Sequence, residues 1–560
     1  MKKPRFVFIV GGVMSGLGKG VFTASLSKLL QWKGLKVNPI KIDPYLNVDA
    51  GTMRPTEHGE VWVTYDGGEI DQDLGTYERF LHLKISKNNN ITSGKIFWEV
   101  INAERKGKFL GKTVQYIPHI VNYIEKKLVS AHKTSGADLT VVEVGGTVGD
   151  FESELFFHTI STMVSKYPVG VIFMGYLVLP PHIGELKTKP FQHSLAHLFR
   201  FGIKPDALVL RSPVEVDEVR KEKLSAISGI SKEKMIELPD VSNIYRIPLV
   251  VYNQRNALKS MFTKLGVTTR IRSSKVQEYK NFVDTSEKLQ KKGPFIKVAM
   301  VGKYFASGNF TLLDSYISVL ESIKYAAWSL GYGVKIIWVD STKISQKDSD
   351  KKVKSMLQDA QAIIVPGGFG STGVEGKLRV IRYARENRVP YLGLCYGLQL
   401  AVVEYARNVA GLKEANTTEI DANTPHPVVD ILPEQKDIIK RSRYGASMRL
   451  GEYKAYLKKP SIVYKVYKKA GRVFKDANGE YVVERHRHRY EVNPQYHKVL
   501  QDAGLVFSGL SVDGRLVEFI ELPEQKHPYF VGTQAHPEFT SYPLDPNPLF
   551  VGLLEAGKGR

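Results

Sequence analysis

Short apolar runs recur along almost the whole chain, with helical stretches between them: RFVFIV at 5–10, VVEVGG at 141–146, VGVIFMGYLVL at 169–179, ALVLRS at 207–212 and PLVVYN at 248–253. Runs without polar alternation suit strands buried on both faces, and a parallel sheet covered by helices is the architecture that buries them. The pattern predicts an α/β fold with mostly parallel sheets. Between Ser273 and Phe295 it lapses into lysine-rich SSKVQEYKNFVDTSEKLQKKGPF, then restarts with IKVAMVG (296–302), WVD (338–340) and QAIIVPGG (361–368). A chain of 560 residues is too long for a single core. We divide it into residues 1–272, a linker with helical tendency at 273–295, and 296–560.

The first run leads into GGVMSGLGKGVF, Gly11 to Phe22. The usual phosphate-loop pattern fails twice here, because Val13 stands where its first glycine belongs and Gly20 where its Ser/Thr belongs. The context nevertheless reads strand, loop, helix: Ala24, Leu26, Leu29 and Leu30 fall at helical spacing, and Gly34 is a plausible stop. Backbone N–H groups of such a loop converge where a helix N-terminus already favours an anion. Lys19 would add a cation for the outer phosphates. A plain strand-to-helix turn explains the glycines but not a lysine at the helix start.

The net charge of +22 raises a nucleic-acid reading. The basic residues are spread over the whole length, with no zinc-finger spacing and no RNP-type aromatic motif. That dispersion suits small polyanions such as nucleotides, or a lysine-rich thermophile surface, so no nucleic-acid partner is expected. Lys2, Lys3 and Arg5 before an apolar run imitate a signal peptide, but the run ends early in glycines and Lys19. The longest apolar stretch, Val169–Pro181, is too short to span a bilayer. A cytoplasmic protein without membrane association is expected.

Only one cysteine is present, which excludes internal disulfides and multi-cysteine metal sites. Cys395 lies in PYLGLCYGLQLAVVEYA, where an apolar strand meets a helix in the pattern G-x-C-x-G, Gly393 to Gly397. This is the thiol form of a nucleophile elbow, and the following helix favours thiolate. A buried packing cysteine would be the plainer reading, but two other stretches overturn it. VPGGFGSTG (365–373) offers free N–H groups for an oxyanion hole, and VGTQAHPEFTS supplies His536 and Glu538 as base and orienting carboxylate. The trio PGG, GxCxG and HPE in this order resembles the class I glutamine amidotransferases. That resemblance implies a Cys395–His536–Glu538 triad hydrolysing glutamine to glutamate and ammonia. It further implies Gly368 in the oxyanion hole, Glu419 on the glutamine amino group and Arg489, in ERHRHRYEVN, on its carboxylate. Tyr396, Gly397, Leu398 and Gln399 are carried over as the rest of the glutamine-binding elbow.

The first half carries KIDPYLNVDAGTM (41–53), HGEVWVTYDGGEIDQDLGTYERF (58–80), VEVGGTVGDFE (142–152) and GELKTKPFQHS (184–194). With the amidotransferase half, these resemble the CTP synthase family across nearly the whole chain. The family likeness also accommodates the relaxed loop, since its first domain is similar to the dethiobiotin-synthetase branch of phosphate-loop folds. It implies ATP-dependent conversion of UTP to CTP with nitrogen from glutamine or free ammonia. ATP binding is implied for Gly16, Leu17, Gly18, Lys19, Gly20, Val21, Lys41, Asp73 and Val241. UTP and CTP contacts are implied for Ser15, Lys187, Lys189, Gln192 and Lys223, with Asp150, Phe151 and Glu152 reading the sugar and base of inhibitory CTP. Lys187 and Lys189 flank Thr188 on what reads as an extended piece, so both should point one way. Asp73 and Glu143 stand as magnesium ligands, although either acid read alone could equally be a cap or a surface charge.

The same likeness implies GTP activation, CTP feedback inhibition, a homotetramer and a capacity for filaments. One position departs from it. After Gly370 the family commonly has an arginine–glycine pair linked to GTP activation, whereas this chain has Ser371, Thr372 and Gly373. A non-catalytic filament protein is disfavoured by the complete triad and phosphate loop. An amidoligase for a carboxylate acceptor is disfavoured by the paired lysines of GELKTKPFQHS.

Overall fold

The computed structural model describes residues 3–303, 306–307, 310–311, 313–345, 348–431 and 448–560. They form two compact units, Met1–Ala50 with Ile70–Val283, and Gly51–Glu69 with Asp284–Arg560. The stretch set down as a linker is a 20-residue helix, Ser273–Lys292, and the division between units falls inside it, after Val283.

The first unit is built on a seven-stranded sheet in the spatial order Asn90–Thr92, Val37–Asp43, Leu139–Val144, Phe6–Gly12, Val169–Tyr176, Ala207–Ser212, Met235–Pro239. Every pairing is parallel. Phe6–Gly12, Val37–Asp43 and Leu139–Val144 are buried at every position; the first reads as an unbroken apolar run, while the other two bury Lys41, Asp43 and Glu143 among apolar residues. The chain leaves Phe6–Gly12 towards one edge, returns to Leu139–Val144 beside it, and then fills the other edge. Such a reversal opens a crevice at the carboxyl ends of the adjoining strands. The loops after Gly12 and Val144 lie at that crevice.

PLVVYN is not a strand. Ile247–Asn253 is a helix, entered through a turn at Ile244–Arg246 that Asn243 caps by accepting from the Tyr245 N–H. Pro248 sits in its first turn, where a missing N–H costs nothing. Ile247, Leu249 and Val251 are buried, and the helix packs against Lys19–Trp32. A short apolar run fits a buried helix as well as a buried strand.

The second unit holds a ten-stranded sheet. Gly333–Asp340, Phe295–Gly302, Ala362–Val365, Tyr391–Leu394 and Phe530–Thr533 are parallel neighbours. Beyond them, Val517–Glu521, Val506–Leu510, Arg449–Leu457, Gly479–His488 and Phe474–Asp476 continue the sheet antiparallel. The segment Gly51–Glu69 belongs to this unit. Its Trp62 is buried with its ring 4.8 Å from Phe539, and Arg485 donates to the Val63 carbonyl at 3.0 Å. Among the described residues, no helix is long and apolar enough to cross a membrane.

The turn between Tyr391–Leu394 and helix Tyr396–Asn408 leaves no room for a side chain at Gly397, where a β-carbon would stand 2.2 Å from the Val365 carbonyl oxygen. Gly397→Ala should therefore destabilise the second unit by about 1–3 kcal/mol, the usual cost of overpacking. Thermal unfolding measures this, and an unchanged Tm would mean that the turn yields freely.

Candidate active sites

In the first unit, Val13 adopts φ 81°, and Gly16 and Gly18 adopt 72° and 78°. Val13 thus takes a left-handed backbone angle of the kind that favours glycine, at the position where the usual pattern has one. Its N–H donates to Ser194 Oγ at 2.9 Å. Helix Lys19–Trp32 starts at Gly18 with no side-chain cap and no acidic residue in its first turn, which leaves its N-terminal N–H groups available to an anion. Lys19 is half-buried and donates to the Gly146 carbonyl. Desolvation lowers its pKa, opposed chiefly by Glu143. Gly20 is required by close approach, since a β-carbon there would meet Asp73 Oδ1 at 2.6 Å.

Lys41, buried on Val37–Asp43, is the hub of this end of the unit. Its Nζ pairs with the Asp73 carboxylate and lies 3.4 Å from Glu143 Oε1, 3.7 Å from Asp43 Oδ1 and 3.9 Å from Asp71 Oδ1. Tyr77 donates to Glu143 Oε2 and Asn90 to Asp43 Oδ2, the latter at 2.8 Å. Burial works against the Lys41 charge, but Asp71, Asp73, Glu143 and Asp43 together raise its pKa well above normal. Burial pushes Asp43 up to about 7, with Lys41 pulling it back. Asp73 and Glu143, the expected metal pair, both reach Lys41 Nζ, and their oxygens are of the hard kind that magnesium takes. Asp43 and Asp71 were not anticipated, although KID and EIDQD carry them next to the residues that were. Among the described residues, no group of three or more His, Cys, Asp or Glu has metal-holding geometry, and the Lys41 ammonium is the cation these carboxylates surround.

The other expected nucleotide contacts lie on segments that follow sheet strands. Lys187 and Lys189 do not share an extended piece. Thr188 is helical at φ −96°, ψ −11°, and Lys189 opens helix Lys189–Arg200, with Pro190 in the first turn. Pro190 suits a helix start as well as an extended strand, and the capture of the Lys187 N–H by the Val178 carbonyl at 2.7 Å ends the extended part there. Gln192 is buried and donates to Thr188 Oγ1 at 2.9 Å. Lys187 pairs with Glu185, which also takes Arg220 at 2.5 Å. Lys223 is exposed on Glu218–Ser228. Asp150 accepts from the Thr147 N–H at 2.7 Å, while Phe151 is 83% exposed and Glu152 is exposed. In the loop Ser15 and Gly16 are exposed and Leu17 is buried, and Val21 and Val241 are half-buried.

In the second unit, Cys395 sits between Tyr391–Leu394 and helix Tyr396–Asn408 with φ 48° and ψ −97°. Its N–H donates to the Thr533 carbonyl at 2.7 Å. Its thiol lies 3.8 Å from the Arg487 carbonyl oxygen and 3.6 Å from Gln534 Nε2. His536 Nδ1 donates to Glu538 Oε1 at 2.7 Å, and its ring stacks on Phe539 at 5.3 Å. Burial opposes a charge on His536, but Glu538 and Cys395 more than offset it and raise its pKa to about 10. A histidine held towards its charged form beside the sulfur is what a thiol nucleophile needs.

Cys395, His536 and Glu538 open into one cavity of about 490 Å³ that Gly368, Gln399, Glu419 and Arg489 also line. Gln399 donates to the Tyr490 carbonyl at 2.9 Å. Leu398 and Gly397 are buried behind the elbow. Glu419 Oε1 accepts from the Gly370 N–H at 2.7 Å, and Tyr396 Oη donates to the Gly370 carbonyl at 2.8 Å. Part of the cavity wall comes from far up the chain, at Gly51–Pro55, Glu60 and Val61. Nothing in the sequence marked these residues, or Arg487 and Gln534, as belonging to the site.

No residue of RHRHR (485–489) is exposed. Arg485 is fully buried, and His486 and His488 face each other at 3.0 Å. Behind them Arg449 reaches Glu491 at 3.3 Å and Glu518 at 2.6 Å. Arg487 Nε donates to Glu69 Oε1 at 2.8 Å.

A thiol elbow with its histidine and glutamate, in one chain with a phosphate loop on a parallel sheet, is the layout of a ligase that draws its nitrogen from glutamine. Residues 5–267 match the model described as CTP synthase N-terminus, and residues 311–556 match glutamine amidotransferase class-I. The CTP synthase of Caldanaerobacter subterraneus subsp. tengcongensis is 46% identical over 558 residues, covering 99% of this chain and 98% of that one. That of Methanocaldococcus jannaschii is 47% identical over 564 residues, covering 100% and 99%. The chain belongs to the CTP synthase family.

The raised pKa of His536 has a defined pH signature. Its contribution to stability is complete below about pH 6.5, where the unfolded imidazole is also charged. It drains away as pH rises through about 10. Glu538→Gln removes one source of the shift, so the stability gap between wild type and variant should narrow from neutral to alkaline pH. Urea unfolding across that range checks this, and a gap that stays constant would show that His536 is neutral in the folded protein.

Proposed function

We propose that this protein converts UTP to CTP, using ATP and the ammonia released from glutamine. The observation that carries the reading is the alignment of Cys395, His536 and Glu538 in one cavity, within a chain whose first unit has a phosphate loop beside a carboxylate cluster. The proton given up by the Cys395 thiol resides on His536; the sulfur attacks the side-chain amide of glutamine, and His536 returns the proton to the departing nitrogen, which leaves as ammonia while a glutamyl thioester forms. Water then releases glutamate. Gly368 offers an N–H to the oxyanion, Glu419 takes the α-amino group, and Arg489 takes the α-carboxylate. Tyr396, Gly397, Leu398 and Gln399 shape that pocket.

In the first unit, Gly16 to Val21, Lys41 and Val241 receive ATP, and Ser15, Lys187, Lys189, Gln192 and Lys223 receive UTP. The 4-oxo group of uracil is a poor leaving group. Transfer of the γ-phosphoryl group to that oxygen makes it a good one, and ammonia displaces phosphate to give CTP. Lys19 and Lys41 spread the charge of the transferring group. Asp73 and Glu143 would hold magnesium, which when bound neutralises phosphate oxygens. CTP competes for the UTP site with added contacts at Asp150, Phe151 and Glu152. GTP activates, with Thr372 in place of the family's arginine. The working form is a cytoplasmic homotetramer able to polymerise.

The test is formation of CTP from UTP, ATP and glutamine, followed by the uracil-to-cytosine absorbance change. Cys395→Ala should abolish this reaction, yet retain near-wild-type CTP formation when ammonium is supplied at alkaline pH. His536→Ala should show the same split, and combining the two should cost little more, because a triad acts as a unit. Loss of the ammonium-dependent reaction in a folded Cys395→Ala protein would overturn the division of labour. Lys19→Ala should lose synthesis from either nitrogen source, with some glutamine hydrolysis remaining. Near-normal CTP formation by that variant would remove the phosphate loop from the mechanism.

A further inference from the structure

One lysine near the thiol is not used above. Lys377, on helix Val374–Glu386, is fully buried, and its Nζ has no hydrogen-bond partner. A side chain so long normally carries its ammonium to water along an apolar stem, and burying that group unpaired is costly. Here the stem leads inward. A β-carbon on Gly368 would lie 3.5 Å from Lys377 Nζ and 3.6 Å from Tyr396 Cδ1, and Nζ is 5.1 Å from the Tyr396 ring centre.

The turn that Lys377 touches is otherwise held peptide by peptide. Lys303 donates to the Phe369 carbonyl. Tyr396 donates to the Gly370 carbonyl at 2.8 Å, and the Gly370 N–H reaches Glu419 at 2.7 Å. Lys377 stands beside the next peptide upstream, at Gly368. An N–H can point into the glutamine pocket there only if the carbonyl across that peptide points away from the pocket.

We propose that Lys377 is a positioning residue for glutamine hydrolysis: from behind Gly368, its positive charge favours the arrangement of the turn 366–368 in which a carbonyl faces away from the pocket and the N–H faces the oxyanion of the tetrahedral intermediate. The charged groups facing it are Lys303 and Glu419. Burial, then Lys303, lower its pKa to about 7 against the pull of Glu419. The proposal rests on the glutaminase reading of Cys395.

Full-length Lys377→Met keeps the length of the side chain and removes the ammonium. Its glutaminase kcat should fall about tenfold to a hundredfold, somewhat less than the loss of a direct oxyanion donor, with KM for glutamine within about twofold of wild type. Alkylation of Cys395 by iodoacetamide, which needs no oxyanion hole, should keep its wild-type rate, and Lys377→Arg should recover part of kcat. An unchanged kcat, a rise in KM alone, or an equal slowing of alkylation would each overturn the assignment. Should Lys377→Met fail to fold, Lys377→Gln carries the same comparison: lost kcat with intact alkylation supports the role, and wild-type kcat refutes it. Cys395→Ala, run alongside, separates the two readings. Glutamine hydrolysis surviving in that variant defeats the glutaminase itself, whereas a dead Cys395→Ala with wild-type Lys377 variants defeats only the present inference.

Discussion

The second unit is organised around a backbone that would rather not exist. Cys395 is a non-glycine residue at φ 48°, a conformation that costs of order 1–3 kcal/mol unless its surroundings impose it. They do so from several sides. The Cys395 N–H is tied to Thr533, and Tyr391 Oη donates to the Gly397 carbonyl at 2.9 Å. Gly393 and Gly397 approach so closely that a β-carbon on the first would lie 2.7 Å from the second's carbonyl carbon. The strand Phe530–Thr533, which pairs with Tyr391–Leu394, also leads directly to Gln534, His536 and Glu538. One pair of parallel strands therefore fixes the thiol and its base at once.

Both units handle charge by enclosure, with opposite outcomes. Lys41 is held charged by a ring of carboxylates that burial alone would neutralise. His486 and His488 are buried beside Arg449, and burial together with that guanidinium holds both well below their usual pKa. The pair is thus kept neutral directly behind an imidazole, His536, whose pKa is raised. That contrast keeps the positive charge next to the sulfur instead of spreading it over neighbouring rings.

Much of this was legible because phosphate loops and nucleophile elbows are local: strand, glycines, one functional side chain and a helix are contiguous in sequence. Cys395, His536 and Glu538 could be read from their immediate neighbours, as could Lys19 and the parallel strands. The rest depends on contacts between distant residues. PLVVYN gives no sign of helix or strand by itself, and its capping by Asn243 and its place against Lys19–Trp32 decide the matter. Val13 shows the limit from the other side, since a pattern written in residue names misses a position whose backbone angle is of the kind that favours glycine. Lys377 looked like one lysine among many, and only its position behind Gly368 distinguishes it.

The placement of Gly51–Glu69 has a bearing on how such a protein can be dissected or rearranged. By sequence likeness the chain is two modules in tandem, and a cut near residue 296 would look clean. By packing, a loop encoded within the first module is a structural part of the second, where Trp62 fills a socket against Phe539 and Glu69 meets Arg487. An isolated C-terminal module would expose that socket to water and lose one wall of its cavity. Recombination between relatives would have to carry Gly51–Glu69 and the C-terminal half together, so the unit of inheritance here is discontinuous in the gene although each fold is compact in space.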